Sequence, residues 1–202
     1  MELIVEKLRR VGVSKINIAT HYKAERIIDH FGNGAAFGVD INYVQEEAPL
    51  GTGGALGLMA SPDEPILVMN GDILTDIDVD ALWTYHQEHN ADMTVAVRRY
   101  EFQVPYGVIE CENSRVQAVR EKPNVSLFVN AGIYLLEPSV HSYIPKQQHF
   151  NMTDLIEVLL RDGKNVVGFP IREYWLDIGQ HADYERAQEY AGGRRICPGA
   201  EE

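Results

Sequence analysis

The run Val68-Met69-Asn70-Gly71-Asp72 closes an apolar stretch that opens at Ile66 and ends it in a carboxylate. It reads as a buried parallel strand broken by a turn. Ligands in open α/β sheets bind just beyond the carboxyl ends of strands, so Asp72 is placed at such a mouth. A second acid, Asp177, stands in Tyr174-Trp175-Leu176-Asp177-Ile178-Gly179, another short apolar strand followed by glycine. Two strand-end carboxylates far apart in sequence can converge on one hard cation. Mg²⁺ is commonly held by one or two carboxylates, with substrate phosphates and waters completing the shell. Plainer readings stand beside this one. Asn70-Gly71 is a turn signal, and either acid can be satisfied locally by a cap or turn.

Other residues have two readings as well. Leu50-Gly51-Thr52-Gly53-Gly54-Ala55 is a glycine-rich loop running into a helix. Its backbone N–H groups can approach a base or a phosphate, or Thr52 can simply cap the helix. In Glu121-Lys122-Pro123, at the end of a strand, the acid and the base point to opposite faces. One faces a pocket, or both are solvated at an edge. Asn130, inside apolar Val129-Asn130-Ala131-Gly132-Ile133-Tyr134, can bind sugar hydroxyls or be satisfied by backbone. Gly107, after Pro105-Tyr106, lets backbone touch a ligand or marks the start of a strand. The histidines are scattered without metal spacing and read as surface or helix-end residues. Trp83 and Trp175 read as core.

The elements that must position these groups follow from period and punctuation. Apolar spacing predicts helices over residues 1–11 and 23–31, stopped by Gly12 and Gly32-Asn33-Gly34. Strands are predicted at 15–20 and 41–44, a loop at 46–54, a helix from 55, and the strand ending at Asp72. Asp80 is placed as the cap of a helix reaching His89. This alternation predicts a parallel, doubly wound sheet. The second half changes character. Strands at 93–97, 107–111, 116–121 and 128–136 predict a mixed, partly antiparallel addition forming one wall of a pocket. A helix capped by Asn151 or Thr153 stops at Gly163. Short strands at 166–169 and 174–177 and a helix over 183–190 follow. Residues 192–202 have no apolar period and read as a loose tail, leaving 1–191 as one domain.

Composition narrows the partners. At 202 residues the chain fits one domain with a sizeable core. A net charge of −12 repels nucleic acid, yet a small anion needs only local donors. Cys111 and Cys197 show neither metal spacing nor a paired framework, which suits a reducing, cytoplasmic setting. No apolar run approaches the roughly 18–20 residues of a membrane span.

In this order the segments resemble the sugar-nucleotidyltransferase (nucleotide-sugar pyrophosphorylase) family. The carrying motifs are Glu47-Ala48-Pro49-Leu50-Gly51-Thr52-Gly53-Gly54, Asn70-Gly71-Asp72, Tyr106-Gly107-Val108, Glu121-Lys122-Pro123, Asn130-Ala131-Gly132 and the Trp175 segment. Phe169-Pro170-Ile171-Arg172-Glu173 looks like a bacterial branch linked to hexosamine- or mannose-1-phosphate guanylyltransferases. The resemblance implies a three-layer Rossmann-like α/β fold with a mixed sheet. It implies transfer of a nucleotidyl group from an NTP, with GTP favoured, to a sugar 1-phosphate, giving NDP-sugar and pyrophosphate. Asp72 and Asp177 would hold Mg²⁺. Gly51, Thr52, Gly53 and Gly54 would face the base, with Gln45 or Glu46 at the base-selecting edge. Asn70, Gly71 and Trp175 join the substrate-binding set. Gly107, Glu121 and Asn130 would grip the sugar, and Lys122 would contact its phosphate.

The family begins with a strand, a Gly-x-Gly-Thr-Arg type loop and a Pro-Lys-Pro segment, whereas this chain starts in the helix that follows. Two expectations follow from that departure. One is an enzyme whose opening roughly 25–35 residues lie upstream, with the 202-residue chain alone inactive. The other is a non-catalytic relative that binds sugar phosphate or nucleotide. A related glycosyltransferase would need an Asp-x-Asp motif. Asp76-Ile77-Asp78 and Asp78-Val79-Asp80 fit formally but look like charges at the start of a helix. The sheet is expected to show a gap between strands 16–19 and 66–69, closed directly or filled by another strand. A homo-oligomer is left open.

Overall fold

The computed structural model describes residues 1–179 together with Ala187 and Tyr190. The expected helix over 183–190 falls mostly outside these residues, and the expected tail over 192–202 falls wholly outside them. The first unit is built from α1 (Glu2–Arg10), β1 (Lys15–Thr20), α2 (Ala24–Phe31) and β2 (Asp40–Gln45). Strands β1 and β2 run parallel from Lys15↔Asp40 to Thr20↔Gln45. Val5, Ile18, Phe31, Val39 and Ile41 form the core between the helices and this pair. Next come a one-turn helix α3 (Gly51–Gly54), β3 (Ile66–Met69), β4 (Ile73–Thr75) and α4 (Val79–Glu88).

The larger sheet explains the layering. Its order is β3, β8 (Asn124–Leu136), β5 (Met93–Gln103), β9 (Val166–Ile171). Strand alternation sends Met93, Val95, Tyr134 and Leu136 to one face, where they pack with Leu155 and Leu159 of α5 (Met152–Arg161). Ala96, Ala131 and Ile133 go to the other face, with Leu82 of α4 and Ile73. Helices therefore cover both faces of a mixed sheet, giving three layers. The expected mixing is present but begins earlier than the alternation implied. β3 is antiparallel to β8, while β5 and β9 are parallel.

Several local expectations are corrected. Asp78, not Asp80, caps α4, accepting from the Ala81 N–H at 2.9 Å. Asp80 lies in the first turn, where a carboxylate complements the helix dipole. Both Asp-x-Asp pairs therefore sit at the start of a helix. Asn151 caps α5, and the Asp154 carboxylate accepts from the Asn151 N–H at 2.8 Å, completing a capping box. Trp83 is 43% exposed and is not core. His86 is 1% exposed rather than on the surface, with Nδ1 2.7 Å from Thr94 Oγ1 and Nε2 3.1 Å from Glu137 Oε1. Direct closure of the two open edges is not found among the described residues. β1 pairs with β2 alone, and β3 pairs with β8 alone.

Candidate active site

Asp72 leaves the turn that ends β3, and the chain then enters β4. The sequence hid this second strand because it is short and follows the turn at once. Its partner is β10 (Trp175–Asp177), antiparallel, with Asp177 opposite Ile73. The Ile178 N–H donates to the Asp72 carbonyl at 2.9 Å. Asp72, in the turn just before β4, is thus bonded through its backbone to the residue after Asp177, and both acids are exposed. Two bonds tie the near end of the ladder. The Asp76 N–H and the Thr75 hydroxyl each donate to the Tyr174 carbonyl at 2.9 Å.

Asn70 and Gly71 lie in the same turn. The Asn70 N–H donates to the Gly132 carbonyl at 2.9 Å, and the Gly132 N–H donates to Asn130 Oδ1 at 2.9 Å. Here β8 carries extra residues. Its pairing with β5 jumps from Val95↔Tyr134 to Val97↔Asn130, an irregularity that re-aims side chains. Asn130 is exposed beside it, and its side chain also bonds Tyr134. Burial pushes the Tyr134 phenol above its ordinary value, and the bond to Asn130 opposes that shift. Trp175 is half-buried, and its indole N–H donates to the Ala131 carbonyl at 2.9 Å. That bond holds β10 against the bulge, so the Trp175 polar edge is already engaged within the protein.

A second group lies on the arm formed by β6 (Val108–Glu112) and β7 (Arg115–Arg120). A Cβ on Gly107 would lie 3.1 Å from Glu121 Oε2, so the carboxylate rests over the glycine. Lys122 is exposed at φ +43°, in the left-handed region, and its carbonyl accepts from Gln103 Nε2 at 3.3 Å. Its backbone is strained, which the sequence pattern did not signal.

The third group is the glycine-rich turn. Gln45 ends β2 and is exposed. The Glu46 carboxylate accepts from the Leu50 N–H at 3.0 Å, fixing the start of the loop. The glycines have a structural reason that sequence could not supply. α3 docks on residues 148–152, where a Cβ on Gly51 would lie 2.6 Å from Asn151 Oδ1 and one on Gly54 2.8 Å from the Gln148 carbonyl. The Gly53 N–H is used by the Phe150 carbonyl at 2.9 Å and the Thr52 N–H by Asn151 Oδ1 at 3.3 Å.

Lys7 is a residue the sequence did not single out. Its ammonium donates to the Thr75 carbonyl at 3.1 Å, joining α1 to β4. Burial pushes its pKa below the usual lysine value, against the opposing pull of Asp76, Glu173 and Asp78. Arg98 was also missed. Its guanidinium donates to the Ile171 and Glu173 carbonyls, each at 3.1 Å, holding the segment that leads into β10.

In a three-layer α/β sheet of this kind, ligands bind beyond the carboxyl ends of the strands, where the turn carrying Asp72 lies. The chain belongs to the nucleotidyl transferase family, which it matches over residues 1–192. It is 31% identical over 190 residues to mannose-1-phosphate guanylyltransferase of Mycobacterium tuberculosis, covering 91% of this chain and 53% of that one. It is 32% identical over 186 residues to D-glycero-alpha-D-manno-heptose 1-phosphate guanylyltransferase of Aneurinibacillus thermoaerophilus, covering 90% of this chain and 80% of that one. The crystal structure of HddC from Yersinia pseudotuberculosis matches with a TM-score of 0.69 at 25% identity, covering 94% of this chain and 84% of that one. The chain spans about half the length of several of the relatives it matches. No helix among the described residues is long and apolar enough to cross a membrane.

Proposed function

We propose that this chain is the core of a sugar-1-phosphate nucleotidyltransferase, most suited to GTP, that forms NDP-sugar and pyrophosphate. The observation on which this reading rests is the backbone bond from Ile178 to Asp72, which brings the chain at Asp72 beside the chain at Asp177. Two exposed carboxylates offer hard oxygen donors of the kind Mg²⁺ takes. Substrate phosphates and waters would complete the shell. A bound Mg²⁺ would supply charge neutralisation between the two phosphate groups.

The chain's own residues do the positioning. Glu121, over Gly107, and Asn130, beside the bulge, would accept from and donate to sugar hydroxyls. Lys122 would offset the charge of the sugar phosphate. Gln45 and the turn at Gly51–Gly54 would border the base. Bringing two anions into line is the main barrier that positioning and charge neutralisation lower. The Thr52 and Gly53 N–H groups are already used, so this turn is a poor cradle for a triphosphate. The Thr20 hydroxyl, 3% exposed at the end of β1, has no hydrogen-bond partner in the structure.

Pyrophosphate release tests the reading. The protein should turn over with GTP and a hexose or heptose 1-phosphate, and more slowly with UTP or dTTP. No release with any pair would favour a non-catalytic binder.

Lys122 offers a separate check. Lys122→Gly removes a left-handed strain of about 1–2 kcal/mol but adds unfolded-state freedom of roughly 0.5–1 kcal/mol. Stability, read by urea unfolding, should be unchanged or slightly raised. The KM for sugar 1-phosphate should rise at least about tenfold, the loss expected for one charge-assisted contact of about 1.5–3 kcal/mol. A variant less stable than wild type with unchanged KM would remove Lys122 from the site.

A further inference from the structure

Strand β9 leaves the large sheet at Ile171, whose partner in the last pair of that ladder is Arg98 of β5. Strand β10 opens at Trp175 and brings Asp177 beside the turn at Asp72. Residues 172–174 belong to neither strand. Their backbone is nevertheless tied down. Arg98 Nη1 donates to the Ile171 and Glu173 carbonyls, each at 3.1 Å, so one nitrogen bridges both. The Tyr174 carbonyl accepts from the Thr75 hydroxyl and the Asp76 N–H. Strand alternation puts Arg98 on the same face as Ala96, which clusters with Ile73, Ile171 and Trp175. The side chain is half-buried there. Arg99, next along the strand, takes the opposite face, is exposed and pairs with Glu101. The Arg98 bonds run to neutral carbonyls, so what they fix is backbone.

We propose that Arg98 is a positioning residue for the cation site: by bridging the Ile171 and Glu173 carbonyls it sets the path into β10, and so the place of the Asp177 carboxylate. This role rests on the nucleotidyltransferase reading of Asp72 and Asp177. The line of contacts is short. Arg98 holds residues 171–173, and the end of β4 holds Tyr174. The β4–β10 ladder then runs from Trp175↔Thr75 to Asp177↔Ile73, and the Ile178 N–H closes on the Asp72 carbonyl. A ladder of three residue pairs is marginal by itself and depends on what holds its ends. Loosening the near end leaves Asp177 to be ordered when a cation binds, which weakens binding. A direct grip on a substrate phosphate is the competing role. It would use the two-pronged fork that makes arginine distinct from lysine, whereas the bridge seen here uses one nitrogen.

Arg98→Met keeps an apolar stem and removes the donor. Arg98→Lys keeps one charged nitrogen on a more flexible stem. Hydrogen–deuterium exchange read by mass spectrometry tests the positioning without substrate. Over residues 175–178, Arg98→Met should exchange at least about tenfold faster than wild type, as a local opening, with residues 131–136 of β8 still protected. Arg98→Lys should fall between, about two- to fivefold faster than wild type. In pyrophosphate release, Arg98→Met should lower kcat about 10–100-fold, as for a misplaced group, and raise the Mg²⁺ concentration for half activity. The KM for GTP and for sugar 1-phosphate, measured at saturating Mg²⁺, should stay within about twofold of wild type. Arg98→Lys should restore most of kcat, and Arg99→Met should change nothing. Unchanged exchange over 175–178 in Arg98→Met would overturn the proposal. So would a raised KM for GTP in Arg98→Lys with wild-type exchange, which would put the guanidinium on a substrate phosphate. Should Arg98→Met fail to fold, wild-type exchange and Mg²⁺ dependence in Arg98→Lys would overturn it equally. An inactive wild type defeats the underlying reading, whereas an active wild type matched by Arg98→Met defeats this proposal alone.

Discussion

Asp72→Asn and Asp177→Asn should each lower pyrophosphate release about 10²–10³-fold, the size of effect seen when one positioned electrostatic group is lost. The substitution keeps shape and removes charge. Asparagine can still bond a water or an N–H, but it holds a divalent cation far less well. The side chains are exposed, so folding should be preserved to within about 0.5 kcal/mol. The ladder that places them is built from backbone bonds, including that from Ile178 to Asp72, and these survive either change. The loss should therefore appear in kcat and in the Mg²⁺ concentration needed for half activity, with the melting temperature nearly fixed. The double variant should be little worse than either single one, since two ligands of one cation act as a unit. Either single variant keeping more than a tenth of wild-type activity would show that its carboxylate is not part of the reacting centre.

How far the sequence could anticipate this site depended on the range of the contacts involved. Strand β1 over Lys15–Thr20 was legible because its β-branched residues and flanking turns are local signals. The cap at Asn151 and the stop at Gly163 were legible for the same reason. β4 was not. Ile73-Leu74-Thr75 is too short to show a period, and it is a strand because β10, about a hundred residues away, pairs with it. His86 was misread because its helix is polar around it, while its partners Thr94 and Glu137 come from other elements. The glycines of α3 looked like a ligand loop. Their close packing on residues 148–152 is a tertiary fact with no local trace. The candidate site residues came from type and from resemblance. The bonds that hold them, from Trp175 to Ala131 and from Arg98 to Ile171 and Glu173, had to come from the fold.

Gly132→Ala should be the most damaging small substitution near the site, and its cost can be divided by a control. Gly132 has φ +69°, and Gly163, just past α5, has φ +70°. An L side chain at such an angle costs about 1–2 kcal/mol at either position. Space differs. A Cβ on Gly163 meets nothing within 4 Å, whereas one on Gly132 lies 2.6 Å from Asn70 Nδ2 and 2.6 Å from Ile73 Cδ1. Ile73 is 3% exposed in the core and cannot step aside freely. Overpacking of this kind adds about 1–3 kcal/mol. Gly163→Ala should thus cost about 1–2 kcal/mol and Gly132→Ala about 2–5 kcal/mol, read from urea midpoints with an unchanged slope. The excess at Gly132 falls on Asn70 and Ile73, which flank Asp72 in the chain. Gly132→Ala protein that still folds should therefore also lose activity, while Gly163→Ala should not. Equal destabilisation by the two substitutions would mean that backbone angle alone requires glycine at 132, and that the contact with Asn70 does not constrain the turn before Asp72.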